Sequence, residues 1–321
     1  MKKLLLKSMR KAHEILTHHS WRDESRVIYR GQKANDYVSD RIMNADKAGL
    51  MITKFGTTEL ANITCCKRKY SKTSFVFGDY VDFVRGKGEI FQDDCLDMLC
   101  NLSGFFPKDY DMQLKFVELA MNDIKYIDIL GSYINYEDYL EKELKHTVKI
   151  DMEGYYAPYL WERPWTRLLK NKKVLVVHPF AKSIEAQYAK REALFDDPDV
   201  LPEFASIKVI QAVQSIAGNG EKTGYRSWFE ALDHMKEEID GSDYDVALIG
   251  CGAYGMPLAA HVKRQGKVAV HMAGWLQMLF GIYGNRWNNE RFGRYIKNSW
   301  IRPSKEEKPN GAEKVEGGCY W

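Results

Sequence analysis

No apolar run in the sequence approaches the ~20 residues that a membrane-spanning helix needs, and Leu4 to Leu6 is cut short by Lys7 and Arg10 before it can form a leader core. The chain is therefore expected to work in the cytoplasm. Charge of one sign is scarce as well. The net charge is only +3 and the basic residues are not gathered into runs interleaved with aromatics, so nucleic acid is not an expected partner. Cysteine is sparse: six residues, Cys65-Cys66 vicinal and no C-x-x-C, which predicts reduced thiols rather than a disulfide frame or a zinc site. What remains is the composition of a soluble globular protein, 45% hydrophobic and 28% charged, long enough for one large or two modest domains.

Against that background residues 245–274, DVALIGCGAYGMPLAAHVKRQGKVAVHMAG, stand out. Residues 246–249 form a short β-branched run that predicts a buried strand. A glycine-dense turn follows, in which Gly250, Gly252 and Gly255, with Tyr254 among them, fit the G-x-G-x-x-G pattern. Residues 256–263 predict a helix with Pro257 in its first turn, and 267–271 a second strand. Such a strand–turn–helix unit offers backbone N–H groups to phosphate oxygens. The acid expected about 20 positions further on, to hold an adenosine ribose, is missing, because the second strand ends in Val270-His271. A phosphate-bearing ligand other than NAD is the better expectation, with glycines that merely tighten strand-to-helix packing as the alternative. Since only this one strand follows the turn, the unit is expected to complete a sheet that earlier residues have built.

The rest of the chain supplies that sheet. Residues 1–48 read as a helical extension whose first helix carries Leu5, Met9, Ala12 and Leu16 at helical spacing among Lys2, Lys3, Lys7, Arg10 and Lys11. Such a helix either docks on the domain or rests on an anionic membrane surface. His13, His18 and His19 lack the spacing of a helical metal pair. Residues 49–150 form a first α/β half: a strand over 50–55, then GTTEL, which puts Glu59 at a strand's carboxyl end, where open sheets bind ligands. A capping threonine, Thr57 or Thr58, with Glu59 favoured by the helix dipole, explains the same residues. Residues 70–88 read as strands or ordered loop, 92–102 and 111–122 as helices, 126–130 as a strand, and 137–145, with its alternating charges, as a solvated helix. Asp93-Asp94 at a helix start reads as dipole partners or as metal ligands.

Residues 151–171, rich in tyrosine and tryptophan, read as a joint, and 172–290 as a regular second half. There the strand 173–177 ends in His178, Ser183 is expected to cap a helix running to Leu194, a strand covers 207–213 and a helix 227–239. Alternating strands and helices predict an α/β, doubly wound, mostly parallel, Rossmann-like sheet. His178 and His271 would then share the glycine turn's edge, while Gln277 and Arg286 in AGWLQMLFGIYGNRW lie near enough to contact a ligand. The tail, 291–321, ends too apolar and aromatic to hang free and is expected to dock back.

With these residues in view, the chain resembles bacterial glycosyltransferases of the GT-D type found among capsule and surface-glycan genes. The segment Lys54-Phe55-Gly56-Thr57-Thr58-Glu59-Leu60 is similar to their R-F-G-D-G-E-[LF], and the HPF, GCGAYG and LFGIYGNRW segments resemble uncharacterised bacterial proteins grouped with them. The resemblance implies sugar transfer from a nucleotide-diphosphate donor to a glycan or lipid-linked saccharide, in the cytoplasm or at the membrane's inner face. It also implies a Mg²⁺ or Mn²⁺ ion at the D-x-E motif. Thr57 stands in place of the aspartate, so only Glu59 carries over as a metal ligand, and a neutral hydroxyl binds such ions far more weakly than a carboxylate. Lys54 keeps the charge of the motif's arginine without its fork. The roles implied are catalysis by Glu59, His178 and His271, and donor binding by Lys54, Gly56, Thr57, Thr58, Gly250, Gly252, Tyr254, Gly255, Gln277 and Arg286. A nucleotide-dependent oxidoreductase built on the glycine turn, and a binding protein without catalysis, are the rival readings.

Overall fold

The computed structural model describes residues 2–18, 22–70 and 75–321. Seven runs rich in Val, Ile and Leu become strands: β1 (Leu50–Lys54), β2 (Ile129–Gly131), β3 (Val148–Ile150), β4 (Lys173–His178), β5 (Ser206–Gln211), β6 (Val246–Ile249) and β7 (Val268–His271). They form one all-parallel sheet in the order β3-β2-β1-β7-β6-β4-β5. The last strand does complete the sheet, but from its middle: β7 pairs with β1 on one side and β6 on the other, joining the two halves.

Because side chains alternate across a strand, neighbouring residues serve opposite faces, and both faces are apolar. Met51, Leu175, Val177, Ala247, Ile249 and Ala269 pack into one core; Leu50, Ile52, Val174, Val176, Leu248, Val268 and Val270 pack into the other. Burial on both sides is why these strands read as continuous apolar runs. The first core is covered by α3 (Thr57–Tyr70), α5 (Gln92–Ser103), α6 (Tyr110–Ile124), α9 (Trp228–Asp240) and α10 (Gly255–Arg264), with Asp109 and Ser227 capping α6 and α9. The second is covered by α2 (Gln32–Met43), α7 (Glu153–Tyr156), α8 (Ala181–Tyr188) and α11 (Leu276–Leu279).

The result is the doubly wound α/β fold. Adjacent strands β4 and β6 lead to helices on opposite faces, α8 and α10, and so do β7 and β1, which lead to α11 and α3. Crevices open at such places, beyond the strands' carboxyl ends. The tail closes over this edge, with Val315 and Trp321 buried, as its composition predicts. All six cysteines are free. Among the described residues no helix is long and apolar enough to cross a membrane.

Local readings fail where long-range contacts decide. Part of 70–88 is a helix, α4 (Phe77–Val84), started by Asp79, which accepts from the Val76 N–H at 2.9 Å; residues 71–74, like His19, lie outside the described residues. Within 137–145 there is no solvated helix. Glu137 is wholly buried at the start of a tight turn, accepting from Ser132 and from the N–H groups of Tyr133 and Ile134. Ser183 does not cap α8. It lies inside the helix, bonded to Glu307 of the tail, and the helix stops at Tyr188.

Candidate functional site

A cavity of about 560 Å³ lies over the carboxyl ends of the strands. It gathers residues far apart in sequence: Lys54, Gly56, Thr57, Thr58 and Glu59 after β1, His178 after β4, Gly250, Gly252 and Tyr254 after β6, and His271, Gln277 and Arg286 after β7. Gly255 is the candidate that does not line it.

At the β1 end, α3 begins at Thr57, so the first N–H groups of that helix have no intrahelical acceptor and face the cavity's edge. Glu59 folds back over Gly56, where a Cβ would overlap its carboxylate, and this close approach is what requires glycine there. Among the described residues the Glu59 carboxylate has neither a hydrogen-bond nor an ion-pair partner. Across from it, Lys54 Nζ lies 3.5 Å from the Tyr133 hydroxyl and 5.7 Å from that ring's centre, and Tyr133 donates to the Phe55 carbonyl at 2.9 Å. Burial pulls the Lys54 ammonium below its ordinary pKa, with Glu59 pulling the other way.

The two histidines are buried and neutral. Desolvation takes each down to about 3, helped at His271 by the nearby Lys54 charge. His178 Nδ1 accepts from the Phe180 N–H at 3.0 Å, so its proton sits on Nε2. His271 Nδ1 lies 2.8 Å from the Thr53 hydroxyl, while its buried Nε2 has no hydrogen-bond partner among the described residues. The register explains the first contact: Met51 opposite Ala269 and Ile52 opposite Val270 bring Thr53 beside His271 on the same face. A base held near pKa 3 is a poor proton acceptor at neutral pH.

The glycine turn is explained mostly by packing. A Cβ on Gly255 would lie 2.5 Å from Cδ2 of His271, and nearer still to Nε2; one on Gly250 would lie 2.5 Å from the Ala273 carbonyl and 2.8 Å from Cδ2 of His178. Only at Gly252 would an added Cβ meet no clash, lying 3.8 Å from the Ser103 carbonyl, and its φ of +58° favours glycine on backbone grounds alone. Tyr254 is a core residue as well as a cavity wall. Its ring stacks on Trp228 at 4.9 Å and its hydroxyl meets Ser215 at 3.0 Å.

After β7, Gln277 is committed to structure, donating to the carbonyls of Ile282 and Tyr320 at 3.3 and 3.1 Å. Arg286 Nη1 donates to the Tyr320 hydroxyl at 3.1 Å and Nη2 to the Glu316 carboxylate. Burial alone would lower its pKa; Tyr320 and Glu316 more than offset this and hold it above normal. The sequence reading missed Glu316, Tyr320, Arg291, Glu153 and the stacked pair Tyr156 and Trp275, whose rings are 4.0 Å apart on the opposite wall. Arg291 and Glu153 are paired at 2.5 Å. The aromatic joint and the apolar tail were the signals that pointed toward them.

Of the cavity's three glutamates, Glu153 and Glu316 are thus each held by an arginine, and Glu59 stands alone. Asp93 and Asp94 lie elsewhere, Asp93 accepting from Tyr110 and Asp94 holding Lys3 and Lys7 of the first helix. Among the described residues no three His, Cys, Asp or Glu side chains come together to hold a metal ion. One lone carboxylate beside a threonine is not a protein-held site for Mg²⁺ or Mn²⁺. The cavity instead offers cations, helix N–H groups, aromatic faces and a single unengaged acid, a set suited to an anionic, hydroxyl-rich ligand. Comparison with family models, curated proteins and solved structures finds no match for the chain.

Proposed function

We propose that the chain is a glycosyltransferase that moves a sugar from a nucleotide-diphosphate donor to a cell-surface glycan or lipid-linked saccharide. The observation that carries this reading is the unpartnered Glu59 carboxylate, held at the β1 end between the N-terminus of α3 and the Lys54 ammonium. In the reaction Glu59 takes the proton from the acceptor hydroxyl as that oxygen attacks the sugar's anomeric carbon. The bond to the diphosphate breaks on the other side, and the departing charge is met by Arg286. The stacked Tyr156 and Trp275 supply an aromatic face for the base or a sugar ring. No metal step is included, since the residues do not build a site for one. The reaction would take place in the cytoplasm, at the inner face of the membrane where a lipid-linked acceptor is presented.

A non-catalytic nucleotide- or glycan-binding role is favoured by one observation, that among the described residues no second free acid lines the cavity beside Glu59. The oxidoreductase reading loses ground because no acid stands at the end of β7 to hold an adenosine ribose, the strand ending in Val270 and His271.

The test is a thermal-shift screen of nucleotide sugars against NAD and NADP, followed by turnover of Glu59→Gln. A ligand at 100 times its Kd adds about 2.7 kcal/mol. Nucleotide sugars are expected to stabilise the chain, and Glu59→Gln to bind them normally with transfer abolished. Stabilisation by NAD(P) alone would overturn the reading, and unchanged turnover by the variant would return Glu59 to a helix-start role.

A further inference from the structure

The first helix, α1 (Lys2–Thr17), docks by the wrong face. Amphipathic helices normally cover a core with their apolar stripe, and Leu5, Met9, Ala12 and Leu16 would be that stripe. Instead the side turned toward the body carries Leu6, Arg10 and His13, the half-buried positions of the helix. Arg10 is the anchor. It reaches Glu89 at 2.6 Å and Tyr136 at 3.0 Å and lies over the Phe83 ring of α4, while Lys3 and Lys7 clasp Asp94 at 2.5 and 2.6 Å. The polar attachment leaves the apolar arc in solvent. Leu4, Leu5, Met9, Ile15 and Leu16 are 74, 60, 47, 63 and 81% exposed, and no residue of α1 is buried. At the start of α4, which packs on α1, Val76 and Phe77 are 52 and 82% exposed. Among the described residues nothing covers this surface.

We propose that α1 and the start of α4 together seat on an anionic lipid bilayer, with α1 lying in the interface plane. Charge selects the occupant. Lys3, Lys7 and Arg10 are met by Asp94 and Glu89 of the body, which leaves Lys2 and Lys11 as the cations beside the apolar arc. On a helical wheel Lys11 borders one side of the apolar arc and Lys2 the other, where their ammonium groups reach headgroup phosphates as the leucines enter the acyl boundary. A second copy of the chain would set these lysines against themselves, while an anionic membrane neutralises them. Aliphatic residues with a neighbouring Phe77 are also what an interfacial helix inserts. The surface is separate from the cavity, so lipid binding stands whether or not the cavity takes a nucleotide sugar.

The experiment is flotation of the full chain with phosphatidylcholine vesicles, with and without phosphatidylserine. The chain is expected to float with the mixed vesicles and stay behind with phosphatidylcholine alone. Lys11→Gln should weaken binding roughly fivefold, the value of one basic charge at such a surface. Leu5→Glu with Leu16→Glu should abolish flotation while the melting temperature and nucleotide-sugar binding remain those of the wild type, since both side chains already face solvent. Failure of the wild type to float with mixed vesicles, or flotation of the double variant like the wild type, overturns the proposal. So does a wild-type dimer in sedimentation that this variant converts to monomer without any lipid binding, which would assign the face to a second copy.

Discussion

Gly255, the last glycine of the turn, sets how closely α10 packs on β7, and the perturbation that tests this is Gly255→Ala. Its backbone is helical, with φ −61° and ψ −48°, so alanine meets no conformational objection and in a helix would by itself be favourable by up to about 1 kcal/mol. The obstacle is the His271 ring, 2.5 Å or less from the added methyl and fixed by Thr53 on its other side. Overpacking against a ring that cannot swing away costs about 1–3 kcal/mol. Unfolding entropy of about 2.1 cal/mol/K per residue gives about 0.7 kcal/mol per degree for this chain. The expected drop is therefore about 1–4 °C in melting temperature.

The assay is a double-mutant cycle by calorimetry, with Gly255→Ala made alone and in a His271→Ala background. If the ring is the cause, alanine at 255 destabilises the first background and becomes neutral or stabilising in the second, a coupling of about 1–3 kcal/mol. Nucleotide affinity should be little changed in either. The reasoning is refuted if the cost is the same in both backgrounds, or if the single variant melts like the wild type yet loses nucleotide affinity. The latter would mean that the glycine serves the ligand rather than the packing of α10 on β7.

Three further outcomes are expected. His178 and His271, ordinarily near 6.5 and held at about 3 in the fold, bind fewer protons folded than unfolded, so their stabilisation is present above about pH 6.5 and is lost as pH falls toward 3. His178→Asn should flatten the fall in melting temperature over that window by up to about 1.4 kcal/mol per pH unit; an unaltered slope would show that the ring titrates freely. Glu316→Gln should leave stability within about 1 kcal/mol, the pair being partly exposed, and tighten donor binding by releasing Arg286, whereas weaker binding in titration calorimetry would make Glu316 part of the ligand site. Transfer activity should either survive EDTA or need Mn²⁺ near millimolar levels, and Thr57→Asp should lower the Mn²⁺ concentration for half-maximal rate; micromolar dependence in the wild type with no gain in the variant would mean that another residue supplies the missing carboxylate.

What could be read from the sequence follows the range of the forces involved. The β6–turn–α10–β7 unit was legible because β-branched runs, glycines and a first-turn proline act over a few residues, and the placement of Lys54, Glu59, His178 and Arg286 at one edge follows from parallel strands alone. Register is different. Nothing local says that Thr53 will stand beside His271, so nothing local says that the histidine will be sealed, neutral and lodged in the space left by Gly255. The same holds for Glu137, whose acidic neighbourhood looks exposed until it is seen to turn back onto the N–H groups of residues 133 and 134, and for Arg286, claimed by Glu316 thirty residues on. The apolar spacing of α1 pointed to a docked face, and Arg10 reversed it through partners about 80 and 130 residues away. A fingerprint thus fixes the path of a backbone, while its occupant is decided by the strand that arrives beside it. At Gly255 that occupant is a histidine ring, while the Glu59 carboxylate and the first N–H groups of α3 keep polar capacity that no described residue takes up.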